Sequence, residues 1–294
     1  MPLDRERLLQ WRFPDLIQRY SARDAIIYAL SIGVPDDPLD LQHLQFVTEE
    51  NLVAFPTLAL VLGARDGVWM EDAATGITRR GVVHGEEHAV FHDLLPPHGT
   101  IRAETAIVDV LDKGEGRGAL VVLRRNVLDQ GSGRLLATIT STIFCREDGG
   151  FAASISPAPA LSTNRPMGPS ELELETSTAK TAALLYRLNG DWNPLHAYPA
   201  RARAAGFSEP PLHGLCTMGM AAHCLLRACR DYSPDALAEI AVRFSGPFFP
   251  GETLVVRIWL NGAEMFFEGW AKERNAKVLD RGKAVVRRSP VLRR

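Results

Sequence analysis

Two imidazoles, a carboxylate, an amide and a well-placed glycine fall within the run from Tyr186 to Gly219 of this 294-residue chain. Asp191, Asn193 and His196 lie in Gly190-Asp191-Trp192-Asn193-Pro194-Leu195-His196, and His213-Gly214 follow in Leu212-His213-Gly214-Leu215-Cys216. Asp191 and His196 are five apart with Pro194 between them, so a loop or helix start presents them rather than one helical face. A carboxylate and an imidazole aimed at one water can move its protons in opposite directions. Gly214 opens a long apolar stretch. The first amide of a helix is a pre-oriented donor for developing negative charge, and a glycine there lets the reacting group approach closely. Taken singly, Asp191 and Asn193 read as caps, His196 as a hydrogen-bonded histidine and His213 as a structural residue bonding a loop carbonyl. Their occurrence together favours catalysis.

The rest of the chain must hold these groups in place. With 46% hydrophobic and 23% charged residues the composition is that of a globular protein, long enough for one large core or for two domains of about 150 residues. A formal net charge of -2 argues against a broad nucleic-acid-binding face, while leaving room for a local basic patch. The start of the chain lacks the apolar core of a signal peptide, no apolar run reaches membrane-spanning length, and the last residues are not Ser-Lys-Leu. The cytosol is the expected location. The four cysteines, Cys145, Cys216, Cys224 and Cys229, form no C-x-x-C pair and are expected as buried free thiols, with no zinc site.

Residues 22–34 predict a short helix that Ser21 or Asp24 begins and Gly33 ends, followed by a turn at Pro35-Asp36-Asp37-Pro38. After Phe55-Pro56 the run 57–62 is apolar, but Gly63, Gly67 and Gly76 leave no long amphipathic helix beyond it. Strand signals dominate 83–145, clearest over 106–111, 119–124 and 135–144, with a Lys113-Gly114-Glu115-Gly116 turn. Residues 149–172, rich in proline, alanine and serine, predict a surface linker. Beyond it, helices are predicted over 178–188, 199–205 and about 214–229, then strands over 240–244, 253–260, 264–271 and 277–287, with Asn261-Gly262 as a hairpin turn.

The two halves resemble each other. Tyr28 to Gly33 followed by Asp37-Pro38-Leu39 parallels Tyr186 to Gly190 followed by Asn193-Pro194-Leu195, and Pro97 to Ile101 echoes Pro250 to Leu254. Their common order favours a duplicated helix-plus-sheet unit. Where the second half has His196 and His213-Gly214, the first has Asp40 and Leu58-Ala59, so one active site per chain is expected, in the second half.

The motifs Tyr-Arg-Leu-Asn-Gly-Asp-Trp-Asn-Pro-Leu-His, Ala-Gly-Phe and Pro-x-Leu-His-Gly-Leu-Cys-Thr-x-Gly resemble those of MaoC-like, type-2 (R-specific) enoyl-CoA hydratases. The resemblance covers nearly the whole chain. It extends to the hydratase portion of the peroxisomal multifunctional enzyme through Val-His-Gly-Glu and Val-Leu-Asp-Lys-Gly in the first half. It implies an α+β double hot dog, two helix-wrapped antiparallel sheets side by side, with a degenerate, non-catalytic, acyl- and CoA-binding unit at 1–148 and a catalytic unit at 173–294. It implies reversible hydration of trans-2-enoyl-CoA to (R)-3-hydroxyacyl-CoA, with no metal and no cofactor beyond the substrate's CoA. Asp191 and His196 would form the dyad, Asn193 would orient it, and the Gly214 amide would bind the thioester oxygen. His84, Gly85, Lys113 and Phe244 would line the CoA and acyl path. Read as residues alone, Lys113 is equally a solvated turn charge, Phe244 a core side chain and His84 the end of a strand. The absent first-half helix predicts room for medium, long or bulky acyl chains. A homodimer is expected. The alternatives are a hot-dog acyl-CoA thioesterase and a non-catalytic acyl-binding subunit.

Overall fold

A computed structural model of the chain describes residues 3–151, 161, 165–229 and 232–287. A short helix α1 (Arg5–Leu9) and an edge strand β1 (Leu16–Tyr20) precede α2 (Ala22–Ser31). Ser21 and Asp24 both begin α2: the Ser21 hydroxyl accepts from the Asp24 N–H, and the Asp24 carboxylate accepts from the Ser21 N–H. Gly33, at φ 84°, carries the chain away from its end. After α3 (Leu41–Leu44), where a long helix was not expected, the chain makes four 3-10 turns at Pro56–Leu60, Gly67–Glu71, Ala73–Thr75 and Arg79–Gly81. Four strands follow, β2 (Val82–Phe91), β3 (Gly99–Asp112), β4 (Ala119–Asp129) and β5 (Leu135–Cys145).

The second half opens with β6 (Leu172–Ser177) and α4 (Ala182–Tyr186), which tightens into a 3-10 turn at Arg187–Asn189. A second 3-10 turn at Pro194–His196 leads to α5 (Pro199–Ala204) and the long helix α6 (Gly214–Ala228). The strands β7 (Leu237–Phe244), β8 (Thr253–Asn261), β9 (Glu264–Ala271) and β10 (Ala276–Val286) complete the fold. All pairings are antiparallel, in one ten-stranded sheet of order β1-β3-β4-β5-β2-β7-β10-β9-β8-β6. Each half has the same internal order, and the halves join edge to edge through β2 and β7. The repeated order agrees with a duplicated unit.

Two strands escaped the sequence reading. Both β1 and β6 are short edge strands paired on one side only, and their alternating half-exposed residues carry a weak apolar signal. Most of the expected linker, 152–160 and 162–164, lies outside the described residues. His84 is the third residue of β2, so it does not end a strand. All four cysteines are buried and free.

Helix α6 serves both halves. It is buried at every position from Cys216 to Leu226. One face lies on the second-half strands, and the other meets α2 and the Pro56–Leu60 turn. Gly219 makes the second contact possible: a Cβ there would stand 2.6 Å from Ile32 Cγ2 and 3.1 Å from the Tyr28 hydroxyl. The Cys216 thiol donates to the Ser31 carbonyl at 3.3 Å.

Candidate active site

Backbone geometry explains how the polar run is presented. Gly190, at φ 109°, ends the 3-10 turn after α4 and starts a loop. The Asp191 Oδ1 accepts from the Asn193 N–H at 3.1 Å, and the Asn193 Oδ1 accepts from the Leu195 N–H at 3.0 Å. Asn193 thus caps the Pro194–His196 turn, with proline at its first position. These two side-chain turns bring His196 back beside Asp191.

The His196 imidazole is fixed by the chain entering α6. Its Nδ1 lies 2.8 Å from the Pro211 carbonyl oxygen. A carbonyl can only accept, so Nδ1 carries the proton and Nε2 of the neutral ring keeps a lone pair. His213 stacks on this ring, with centroids 3.8 Å apart and planes inclined by 27°. Its Nε2 lies 4.0 Å from the Asp191 Oδ2, and its side chain is 2% exposed against 48% for Asp191. The Tyr186 ring packs on the other side of His213 at 4.9 Å.

One donor or acceptor atom from each of Asp191, His196 and His213 lies within 4.8 Å of the other two. A water at ordinary hydrogen-bond distance from two of these groups bridges that span. Burial lowers the pKa of His196, partly opposed by the Pro211 carbonyl and Asp191. Burial and the adjacent His196 push His213 down to about 3, against the pull of Asp191. Both rings are therefore neutral near pH 7, and the carboxylate opens toward solvent.

Gly214 is the first residue of α6, and no side chain caps that terminus. Its amide is a free donor at the positive end of a 15-residue helix. Phe244 backs it: a Cβ on Gly214 would lie 3.1 Å from the Phe244 ring. The His84 ring meets Phe244 edge-on at 4.8 Å, and the His84 Nε2 bonds the Glu87 carboxylate at 2.8 Å. Gly85 sits at a bulge between β2 and β5, where a Cβ would stand 3.8 Å from that of Phe144. The Lys113 ammonium lies 5.0 Å over the Phe144 ring. The structure thus brings Phe244 to Gly214 and His84 to Phe244, with Gly85 next to His84 on β2 and Lys113 just past the end of β3.

Two further participants were not singled out from the sequence. Glu87 is 1% exposed, although adjacent Glu86 and Glu87 look alike as surface charges. Its inward position in an alternating strand was the available signal. Tyr186 abuts His213 and has its hydroxyl pKa raised by burial.

The paired helix-and-sheet halves are a double hot dog, the fold also described for a Mycobacterium tuberculosis protein 15% identical to this chain, at TM-score 0.57 over 94% of this chain and 96% of that one. Residues 18–147 match the MFE-2 hydratase 2 N-terminal domain, and residues 162–281 match the MaoC like domain. A MaoC-like dehydratase from Phytophthora capsici superposes at TM-score 0.83 with 30% identity, covering 97% of this chain and 99% of that one. The peroxisomal enoyl-CoA hydratase 2 of Arabidopsis thaliana is 32% identical over 292 residues, 92% of each chain. Fold and site together define a MaoC-like hydro-lyase. The chain belongs to the enoyl-CoA hydratase 2 family.

Proposed function

We propose that the protein hydrates trans-2-enoyl-CoA reversibly to (R)-3-hydroxyacyl-CoA, with Asp191 and His196 holding the reacting water and the Gly214 amide holding the thioester oxygen. The observation that carries this reading is the convergence of the Asp191 and His196 side chains, in a trio spanning at most 4.8 Å, in the loops that lead to the uncapped start of α6. The bare Nε2 of His196 takes a proton from the water as its oxygen bonds to C3. Electron density moves onto the thioester oxygen, where the Gly214 N–H donates to it. The proton passes through the Asp191 carboxyl to C2, so one water is divided between the two carbons and neither residue is changed overall. Asn193 positions both groups through its turn. His84 and Phe244 support the thioester end of the substrate, and Lys113 and Gly85 the CoA and acyl path.

The unit over 1–148 binds acyl and CoA groups in this reading, the unit over 173–294 is catalytic, and the 3-10 turns that stand in for a first-half helix make room for medium, long or bulky acyl chains. The chain needs no cofactor in the proposed reaction, pairs as a homodimer and resides in the cytosol. Light scattering and cell fractionation test the last two points.

The test is a spectroscopic assay with enoyl-CoAs of several lengths, together with thiol detection. Loss of enoyl absorbance without free CoA is expected; released thiol would instead indicate a thioesterase. Asp191→Asn and His196→Ala are expected to lose about 10²–10⁴-fold in kcat while keeping the wild-type circular dichroism. A preference for crotonyl-CoA over decenoyl-CoA would overturn the chain-length reading.

A further inference from the structure

The inner face of the first-half sheet has a broken core. One apolar cluster holds Ala103, Val127, Ile139 and Ala89, and a second holds Ile107, Val121 and Ile143. Between them, four adjoining strands place polar residues at inward positions. Thr105 on β3 stands opposite Arg125 on β4, and Ser141 on β5 stands opposite Glu87 on β2. Burying such groups without partners is unfavourable. Nevertheless the Arg125 Nε and the Thr105 Oγ1 are buried and have no hydrogen-bond partner, and the same holds for the Nε of Arg65.

Arg125 uses one terminal nitrogen to bond the Leu60 carbonyl at 2.6 Å, at the end of the first 3-10 turn. Burial disfavours its positive charge, Glu87 favours it, and Arg65 disfavours it. The polar row begins beside the candidate active site. Glu87 bonds His84, His84 packs on Phe244, and Phe244 backs Gly214. From Glu87 on β2 to Arg125 on β4 is two strand spacings across and one two-residue step along, because Arg125 pairs with Ile139 and Ser141 with Leu123, about 12 Å in all.

We propose that this row selects substrates whose acyl tail carries an oxygen acceptor, a hydroxyl or oxo group, toward its far end, where Arg125 and Thr105 donate to it. The inference rests on the hydratase reading above and names its substrate class. An unsubstituted alkyl tail leaves both donors unpaired and sets methylene groups against a guanidinium. An oxygen acceptor satisfies the Arg125 Nε and the Thr105 hydroxyl together.

The test compares kcat/KM for trans-2-decenoyl-CoA with that for its (ω−1)-oxo and (ω−1)-hydroxy analogues. Wild type is expected to prefer an oxygenated analogue by about 10-fold or more, because a pocket built around a hydrogen bond discriminates against a substrate lacking it. In Arg125→Leu the ratio is expected to fall toward one, chiefly through KM of the oxygenated substrate, and Arg125→Gln, which keeps an N–H donor, is expected to retain part of it. If Arg125→Leu does not fold because Glu87 is left without its counter-charge, the double variant Arg125→Leu/Glu87→Leu removes both charges and reads the same ratio. No preference in wild type, or equal losses for both substrates in the variants, overturns the proposal, the latter by leaving Arg125 only as a clamp on Leu60. Hydration of the plain substrate without preference leaves the hydratase reading intact; hydration of neither removes both.

Discussion

In the proposed reaction His196 is the base, and a bond on the far side of its ring prepares it for that role. The Pro211 carbonyl holds the Nδ1 proton, burial keeps the ring neutral, and Nε2 is left to meet the water. Because its folded pKa lies below the ordinary histidine value of about 6.5, the acidic limb of kcat/KM is expected below that pH. A pH–rate profile checks this, and a limb above pH 7 would exclude His196 as the base. His213, pushed to about 3, carries a stability consequence of definite sign. Below pH 6.5 the unfolded chain binds a proton that the folded chain refuses, so stability falls with pH toward 3. Between pH 7 and pH 5 the loss is about 2 kcal/mol for such a residue. Denaturant titrations of wild type and His213→Gln should converge as the pH is lowered, provided the glutamine is tolerated in the buried site. His223 on α6 is held to about 3 by burial with His43 and Arg227 nearby, and it adds to the same acid sensitivity.

Helix α6 is the element on which the site depends, and its contacts oppose its own propensities. Gly219 in mid-helix costs about 1 kcal/mol relative to alanine in an isolated helix. Here a Cβ would meet Ile32 Cγ2 at 2.6 Å, on a stiff branched side chain. Gly219→Ala is therefore expected to destabilise the protein by about 1–3 kcal/mol through overpacking, despite the gain in helix propensity. Thermal unfolding measures it, and a rise in Tm would show that α2 yields easily. The same close approach lets the first half support the helix whose N-terminus is proposed to meet the thioester. The Pro56–Leu60 turn, in the segment that replaces a first-half helix, packs on the same face of α6 as α2. Gly63, Gly67 and Gly76 made the missing helix legible. Nothing in the pattern announced that the replacement would pack on α6, because that contact joins residues more than a hundred positions apart.

At the scale of the molecule, the halves share one sheet. The β2–β7 seam pairs Glu86 with Arg243 through Val90 with Glu239, reinforced by a 3.0 Å ion pair between Arg243 and Glu86 and by the His88 Nε2 lying 3.0 Å from the Glu239 carboxylate. Cutting there would expose two strand edges and one side of α6. The full chain is expected to unfold in a single transition by calorimetry, and a fragment spanning 165–294 to be insoluble or without turnover. A soluble, active fragment would show that the second half holds the site alone.

The sequence by itself determined the repeat, the order of most elements and the closeness in the chain of Asp191, Asn193, His196, His213 and Gly214, because periodicity, caps and turn chemistry act over a few neighbours. It also pointed to Ser21 or Asp24 as the start of α2 and to Asn189-Gly190 as the stop after α4, since caps and a left-handed glycine are local signals, although α4 itself spans only Ala182–Tyr186. Only the tertiary structure decided that Pro211 would set the His196 tautomer, that His213 would stack beneath it and that Glu87 and Arg125 would turn inward across a divided core. Those outcomes depend on strand register and on helix approach between distant segments, and a one-residue shift of register would have sent the same charges to solvent.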